Sequence, residues 1–175
     1  RYSSSAASDV YKRQALSVPR NDRWGRTYEG FAEEPELVGQ LGSAFVKGLQ
    51  GEGDEFLDEN HILATSKHFA GDGGTFDGID QGDVRLSKEF YSLHVSPYTP
   101  AIDACTQTIM SSFNSFQGKK LHGDKSLLTD LLKNEMGFDG FIVGDWNGHG
   151  QVKGCSNESC PEAFNAGVDI YMAPD

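Results

Sequence analysis

The sequence predicts an α/β fold in which parallel strands alternate with helices, and three features carry that expectation. Short apolar runs stand at residues 62–66, 108–112, 141–144 and 168–172, each bounded by polar or glycine-containing stretches. Helical periodicity fills the intervals between them. Two runs end in ionisable side chains, Lys67 and His68 after the first and Asp145 after the third, as expected of strands that deliver functional groups at their carboxyl ends. Strands spaced by roughly 30 to 45 residues with helices between them imply right-handed βαβ units and one parallel sheet.

The elements follow in order. The opening Arg1-Tyr2-Ser3-Ser4-Ser5-Ala6-Ala7-Ser8 has neither a methionine nor the apolar stretch of a signal peptide. Residues 1–17 are therefore expected to be a foreign or disordered segment, and 18–175 the domain. Pro35 suits a first helical position, and Leu37, Val38, Leu41, Phe45 and Leu49 recur three or four residues apart as one apolar face. After the first strand, a second helix is expected from an N-cap at Ser87 through Phe90, Leu93 and His94. Pro97 and Pro100 should break or restart it before Ile102. Leu127, Leu128, Leu131, Leu132 and Met136 predict a third helix, with Gly137 placed to end it. A short fourth helix starts near Pro161 and ends at Gly167. The chain stops at Asp175, just after an apparent strand where a loop and helix would normally follow, which reads as a fragment of a longer protein.

Composition narrows the class of function. With 175 residues and 37% hydrophobic content the chain is long enough for one globular domain, and no stretch is apolar over membrane-spanning length. A formal net charge of -11 repels nucleic acid and anionic membranes, so neutral ligands fit better. Cys155 and Cys160 bracket a short polar loop, a spacing that suits either a local disulfide or two free thiols in a reducing compartment. A zinc site lacks a second Cys or His pair at a fitting spacing.

The motifs lie at the strand ends. Gly140-Phe141-Ile142-Val143-Gly144-Asp145-Trp146 delivers a carboxylate and an indole, and Lys67-His68 delivers two cationic or donor groups. The loop from Gly71 to Asp83 is rich in glycine and aspartate. It fails the EF-hand pattern, because Gly74 stands two after Asp72 and Ile79 two after Asp77. It also lacks the Gly-Lys-Ser/Thr ending of a phosphate loop. A close-packed active-site loop is the better reading, with glycines admitting a ligand and carboxylates accepting hydroxyl hydrogen bonds.

Asn21-Asp22-Arg23-Trp24-Gly25-Arg26-Thr27-Tyr28-Glu29, Lys67-His68-Phe69-Ala70-Gly71-Asp72-Gly73-Gly74-Thr75 and Gly144-Asp145-Trp146-Asn147-Gly148-His149-Gly150 together resemble glycoside hydrolase family 3. The Lys-His-Phe-Ala-Gly-Asp-Gly-Gly-Thr version is similar to exo-acting β-glucanases and β-glucosidases rather than to the β-N-acetylhexosaminidases. The resemblance implies a partial TIM-like barrel, usually followed by an α/β sandwich domain. It implies retaining hydrolysis of β-glucan oligosaccharides or β-glucosides, with Asp145 as the nucleophile and the acid/base glutamate in the missing second domain. It implies Arg26, Lys67, His68, Trp146 and Met110 as substrate-binding residues, and no metal or cofactor. Phe113 stands where some relatives carry tyrosine.

The chemistry accounts for these residue types. Retaining hydrolysis needs an ionised carboxylate beside the anomeric carbon and a protonated carboxyl about 5 to 5.5 Å away. A neighbouring Lys67 would keep Asp145 ionised and donate to a sugar hydroxyl, with His68 and Arg26 adding donors. Trp146 would offer an apolar face to the sugar's C–H groups. Taken singly, each residue has a structural alternative: a loop or cap carboxylate at Asp145, an ion-paired Lys67, a core His68, an apolar Met110 layer, and an Arg26 that salt-bridges Glu29 or Glu33. His122, His149, Asp80 and Asp83 read as loop support. Two other readings stay open at this point, a non-catalytic carbohydrate-binding protein on the same scaffold and a metal-dependent hydrolase using the histidines and loop aspartates. Relatives acting on β-glucans and a Cys155–Cys160 bridge would agree with a secreted or periplasmic location.

Overall fold

The computed structural model describes residues 15–86 and 89–173. Its elements are α1 (Pro35–Gln50), β1 (Thr65–Phe69), β2 (Asp83–Val84), α2 (Tyr98–Asp103), β3 (Thr108–Ser111), β4 (Ser115–Phe116), β5 (Lys119–Lys120), β6 (Phe141–Val143) and α3 (Pro161–Ala166). Wider π-helical turns span Tyr91–Val95 and Ser126–Glu135. The main sheet is parallel in the order β1-β3-β6, with helical connections, as the alternation of patterns predicts. A small second sheet, β2-β4-β5, caps the carboxyl end. Isolated bridges extend the main sheet on both sides, so that Ala15, Lys67, Met110, Val143 and Ile170 form one row across it. It stays an open portion of a barrel wall among the described residues.

The two faces of the sheet differ as the period of a strand requires. Ile109 and Ile142 belong to the hydrophobic core, beside Val38, Val46, Leu128, Leu132 and Val168. In the neighbouring row, Lys67 and Met110 are buried outside that core cluster and belong to the site face.

Several expectations are corrected. The first strand begins three residues later than its apolar run suggests: Ile62 and Leu63 are 47% and 44% exposed. Pairing starts at Thr65, opposite Thr108. The buried Gln50 side chain sets this start, accepting from Ala64 N at 3.0 Å and Gln107 N at 3.1 Å while donating to Cys105 O at 2.7 Å. Residues 168–172 contribute one bridge at Ile170 rather than a full strand.

On α1 the buried stripe is Val38, Gly39, Gly42, Val46 and Gln50, whereas Leu37 and Leu41 are exposed. The cause is close approach: a Cβ on Gly39 would lie 3.1 Å from Pro100 Cγ, and one on Gly42 would lie 2.2 Å from Leu16 Cδ2. The expected break at Pro97 holds: the helical turn Tyr91–Val95 ends before it, and α2 restarts with Pro97 and Pro100. They occupy its cap and first turn, where amide hydrogens have no helical acceptor in any case. The N-cap predicted at Ser87 lies outside the described residues. Gly137 (φ 73°) and Gly167 (φ 114°) end their helices in the left-handed region.

Cys155 and Cys160 are joined as a disulfide, and Cys160 Sγ accepts from Ala163 N at the start of α3. Ala15, Leu16 and Ser17, grouped with the preceding segment in the sequence reading, are built into the fold. Leu16 is core and its N–H donates to Lys67 O at 2.6 Å. Residues 1–14 lie outside the described residues.

Candidate active site

Asp145 follows β6 and is pinned at three points. Its N–H donates to His122 Nε2 at 2.9 Å, its carbonyl accepts from Gly148 N at 2.8 Å, and its Oδ1 accepts from Trp146 N at 2.7 Å. Oδ2 is left facing His68, whose Nε2 lies 3.8 Å away. The carboxylate is nearly buried, so its field acts at low effective dielectric.

His68 sits inside β1, not beyond it, with both nitrogens engaged. Nδ1 lies 2.9 Å from Asp72 Oδ2, and Nε2 lies 3.2 Å from an Arg26 terminal nitrogen. A guanidinium can only donate, so Nε2 accepts and the proton resides on Nδ1, facing the carboxylate. Asp72 also accepts from Ser17 Oγ at 2.7 Å and from Gly73 N at 3.0 Å. Burial alone would raise the Asp72 carboxyl, but the His68 and Ser17 hydrogen bonds and the Arg26 charge hold it below the usual carboxylate range.

Arg26 forms a bidentate pair with Glu29, both contacts at 2.9 Å. Burial disfavours the Arg26 charge, yet Glu29, Asp72 and Asp80 more than compensate, and its pKa is raised. Burial would raise Glu29, and Arg26 more than reverses that. Lys67 is buried in the same electrostatic cluster. Burial pushes its ammonium below the ordinary lysine range, as does the Arg26 charge, against the opposing pull of Glu29, Asp145 and Asp72.

The structure thus brings Arg26, Lys67, His68 and Asp145 into one charged cluster. Met110 is buried in the Lys67 row, and Trp146 stands at the rim, 59% exposed. Phe113 packs beside His122, with ring centroids 6.1 Å apart. Of the histidines and loop aspartates set aside as support, Asp83 and His149 hold loops: Asp83 Oδ1 accepts from Gly118 N at 2.7 Å, and His149 Nε2 bonds Asn157 O at 2.8 Å. They do not converge with one another at metal-ligand spacing among the described residues. Sequence reasoning missed Ser17, which lies in the segment it assigned outside the domain. It named Asp72 only as a loop carboxylate, although the His68-x-x-x-Asp72 spacing carries the pairing. Of the two partners weighed for Arg26, the structure selects Glu29.

A parallel α/β sheet that gathers a carboxylate, a lysine and a histidine at its carboxyl ends has the site arrangement of barrel enzymes. Comparison with known proteins says which: the chain belongs to glycoside hydrolase family 3, matching the Glycosyl hydrolase family 3 N terminal domain over residues 15–175. It is 40% identical over 158 residues to a β-xylosidase of Formosa agariphila, covering 86% of this chain and 22% of that protein. It is 33% identical to a periplasmic β-glucosidase of Salmonella typhimurium, covering 91% and 21%. The fold superposes on a crystal structure of an exo-1,3/1,4-β-glucanase from a Pseudoalteromonas species with a TM-score of 0.90 and 49% identity, covering 92% of this chain and 20% of that one. The chain therefore spans about a fifth of the length of these relatives. No helix among the described residues is long and apolar enough to cross a membrane.

Proposed function

We propose that the protein is a retaining, exo-acting β-glucosidase or glucan β-glucosidase that releases glucose from non-reducing ends. The observation that carries this is the pinned Asp145: Oδ1 is held by the Trp146 N–H, while Oδ2 lies 3.8 Å from His68 Nε2 with the Lys67 charge acting on it. Oδ2 attacks the anomeric carbon, the bond to the leaving oxygen breaks, and a covalent glucosyl-Asp145 forms. Water then displaces the aspartate with a second inversion, giving net retention. Lys67 stabilises the ionised nucleophile by proximity, and Arg26, Lys67 and His68 bind the sugar hydroxyls, His68 by exchanging its Nε2 contact with Arg26 for a hydroxyl. Trp146, at the rim, packs on the sugar or the group that leaves.

The leaving oxygen needs a proton donor. Asp72 and Glu29 are unsuited, because both are saturated by donors and both have lowered pKa values. The acid/base carboxyl in this reading is a glutamate of an α/β sandwich domain elsewhere in the parent protein, and residues 15–173 alone turn over natural substrates little or not at all. A secreted or periplasmic location is proposed with it, supported by the Cys155–Cys160 bridge. Proton NMR of the complete protein acting on a β-glucoside tests the reading: β-glucose is expected first, with the α-anomer arising only by mutarotation. Initial release of α-glucose, or no hydrolysis by well-folded protein, would overturn it.

A further inference from the structure

We propose that His122 is the positioning residue of the nucleophile, a buried imidazole whose Nε2 lone pair holds the Asp145 main chain so that Oδ2 stays aimed at the anomeric carbon. The inference rests on the nucleophilic role proposed for Asp145.

The geometry is specific. Asp145 N–H donates to Nε2 at 2.9 Å, so Nε2 carries no proton and the imidazole holds its hydrogen on Nδ1. A charged imidazolium would set N–H against N–H and release the nucleophile's main chain. Burial, together with the charges of His149 and Lys120, pushes the His122 pKa down to about 3, so the acceptor form persists through any working pH. The ring is fully buried in the single turn Leu121–Gly123. Gly148 faces it so closely that a Cβ there would lie 2.3 Å from ring atoms Cε1 and Nε2. The same Gly148 donates to the Asp145 carbonyl at 2.8 Å. Amide, carbonyl and Oδ1 are thus all committed, and only Oδ2 remains to react.

Substrate affinity comes from Arg26, Lys67 and His68, none of which depends on this hydrogen bond. Loss of the His122 acceptor therefore slows attack without weakening binding, whereas general loosening of the site would weaken both.

The test uses the complete protein and an activated 2-deoxy-2-fluoro-β-glucoside, reading the labelling rate constant and the dissociation constant of the reagent separately. Wild type is expected to be labelled on Asp145. His122→Phe should label about tenfold or more slowly with unchanged reagent affinity. His122→Gln, which restores an acceptor near the Nε2 position, should recover to within about threefold of wild type. Wild-type labelling rates in His122→Phe, equal slowing by Phe and Gln, or a change in affinity alone would overturn the proposal. Absence of label on Asp145 in wild type would overturn the nucleophile assignment and this proposal with it. A second arm needs no variant: long-range nitrogen-detected histidine spectra of wild type should show His122 Nε2 unprotonated through the working pH range, and a protonated Nε2 refutes the inference.

Discussion

Replacing Asp72 by asparagine should damage stability and catalysis through one mechanism. Asp72 Oδ2 receives two donors, Ser17 Oγ at 2.7 Å and His68 Nδ1 at 2.9 Å. Asn can keep an acceptor toward these two donors only by turning its amide nitrogen onto the Gly73 N–H, which donates to Asp72 Oδ1 at 3.0 Å. The reverse orientation sets the amide nitrogen against Ser17 and His68. Ser17 can rotate its hydroxyl to accept, but His68 must move its proton to Nε2, where it faces the Arg26 guanidinium 3.2 Å away. Either orientation removes the charge assistance from two buried hydrogen bonds and leaves one donor facing a donor, a destabilisation of about 3 kcal/mol. The pH dependence follows in sign. The folded-state carboxyl lies below the ordinary value of 3.8, so its contribution is fully present above that value and is lost as pH falls through the lowered folded pKa. Urea unfolding of wild type and Asp72→Asn across the acid range checks both. The wild-type advantage should be near 3 kcal/mol at neutral pH and shrink below about pH 4. A loss under about 1 kcal/mol, or an identical acid limb in both proteins, would refute the Asp72–His68–Arg26 relay.

Three further perturbations follow from the packing and electrostatics. Lys67→Met should lower kcat/KM by about a hundredfold, mainly through KM, because the charge-assisted sugar donor proposed at Lys67 is lost. In wild type, kcat/KM should fall as pH rises through a Lys67 pKa below the ordinary 10.5, since only the protonated amine carries charge, and pH profiles of wild type and Lys67→Arg should separate there. Gly140→Ala would place a Cβ 2.2 Å from the Gln107 carbonyl oxygen, a main-chain clash at the entry to β6 that should cost about 2 kcal/mol in urea unfolding. Replacing both Cys155 and Cys160 by serine opens a link of sequence separation 5, and loop-closure entropy gives a loss of about 2 kcal/mol, read as a lower melting temperature that added reductant no longer shifts.

Much of the fold was legible because apolar periodicity and helix-ending glycines report burial directly. The strands Thr108–Ser111 and Phe141–Val143 and the stops at Gly137 and Gly167 lie close to where the patterns put them. The first strand was misplaced for a physical reason. Its residues Thr65–His68 are all polar, and Ser66, Lys67 and His68 are buried, so the pattern that marks a half-buried strand is inverted there, while the apolar Ile62 and Leu63 lie outside it. The α1 face was misread because a glycine stripe, invisible to a hydrophobicity count, lets the helix approach Leu16 and Pro100 more closely than leucines would. At the site, the charged residues were individually visible, but what orients them was not. Ser17 reaches Asp72 across 55 residues and His122 reaches Asp145 across 23, contacts that no local pattern encodes. Only the short-range pairs, His68 with Asp72 and Arg26 with Glu29, leave a spacing that can be read.

Intact-mass and peptide mapping of the complete protein after exposure to an activated 2-fluoro-β-glucoside tests the role of Asp145 most directly, with Asp145→Asn as control. A single fluoroglucosyl adduct on the peptide containing Asp145, absent from the variant, is the expected result. No adduct in cooperatively folded, substrate-binding protein, or an adduct on another carboxylate, would contradict it.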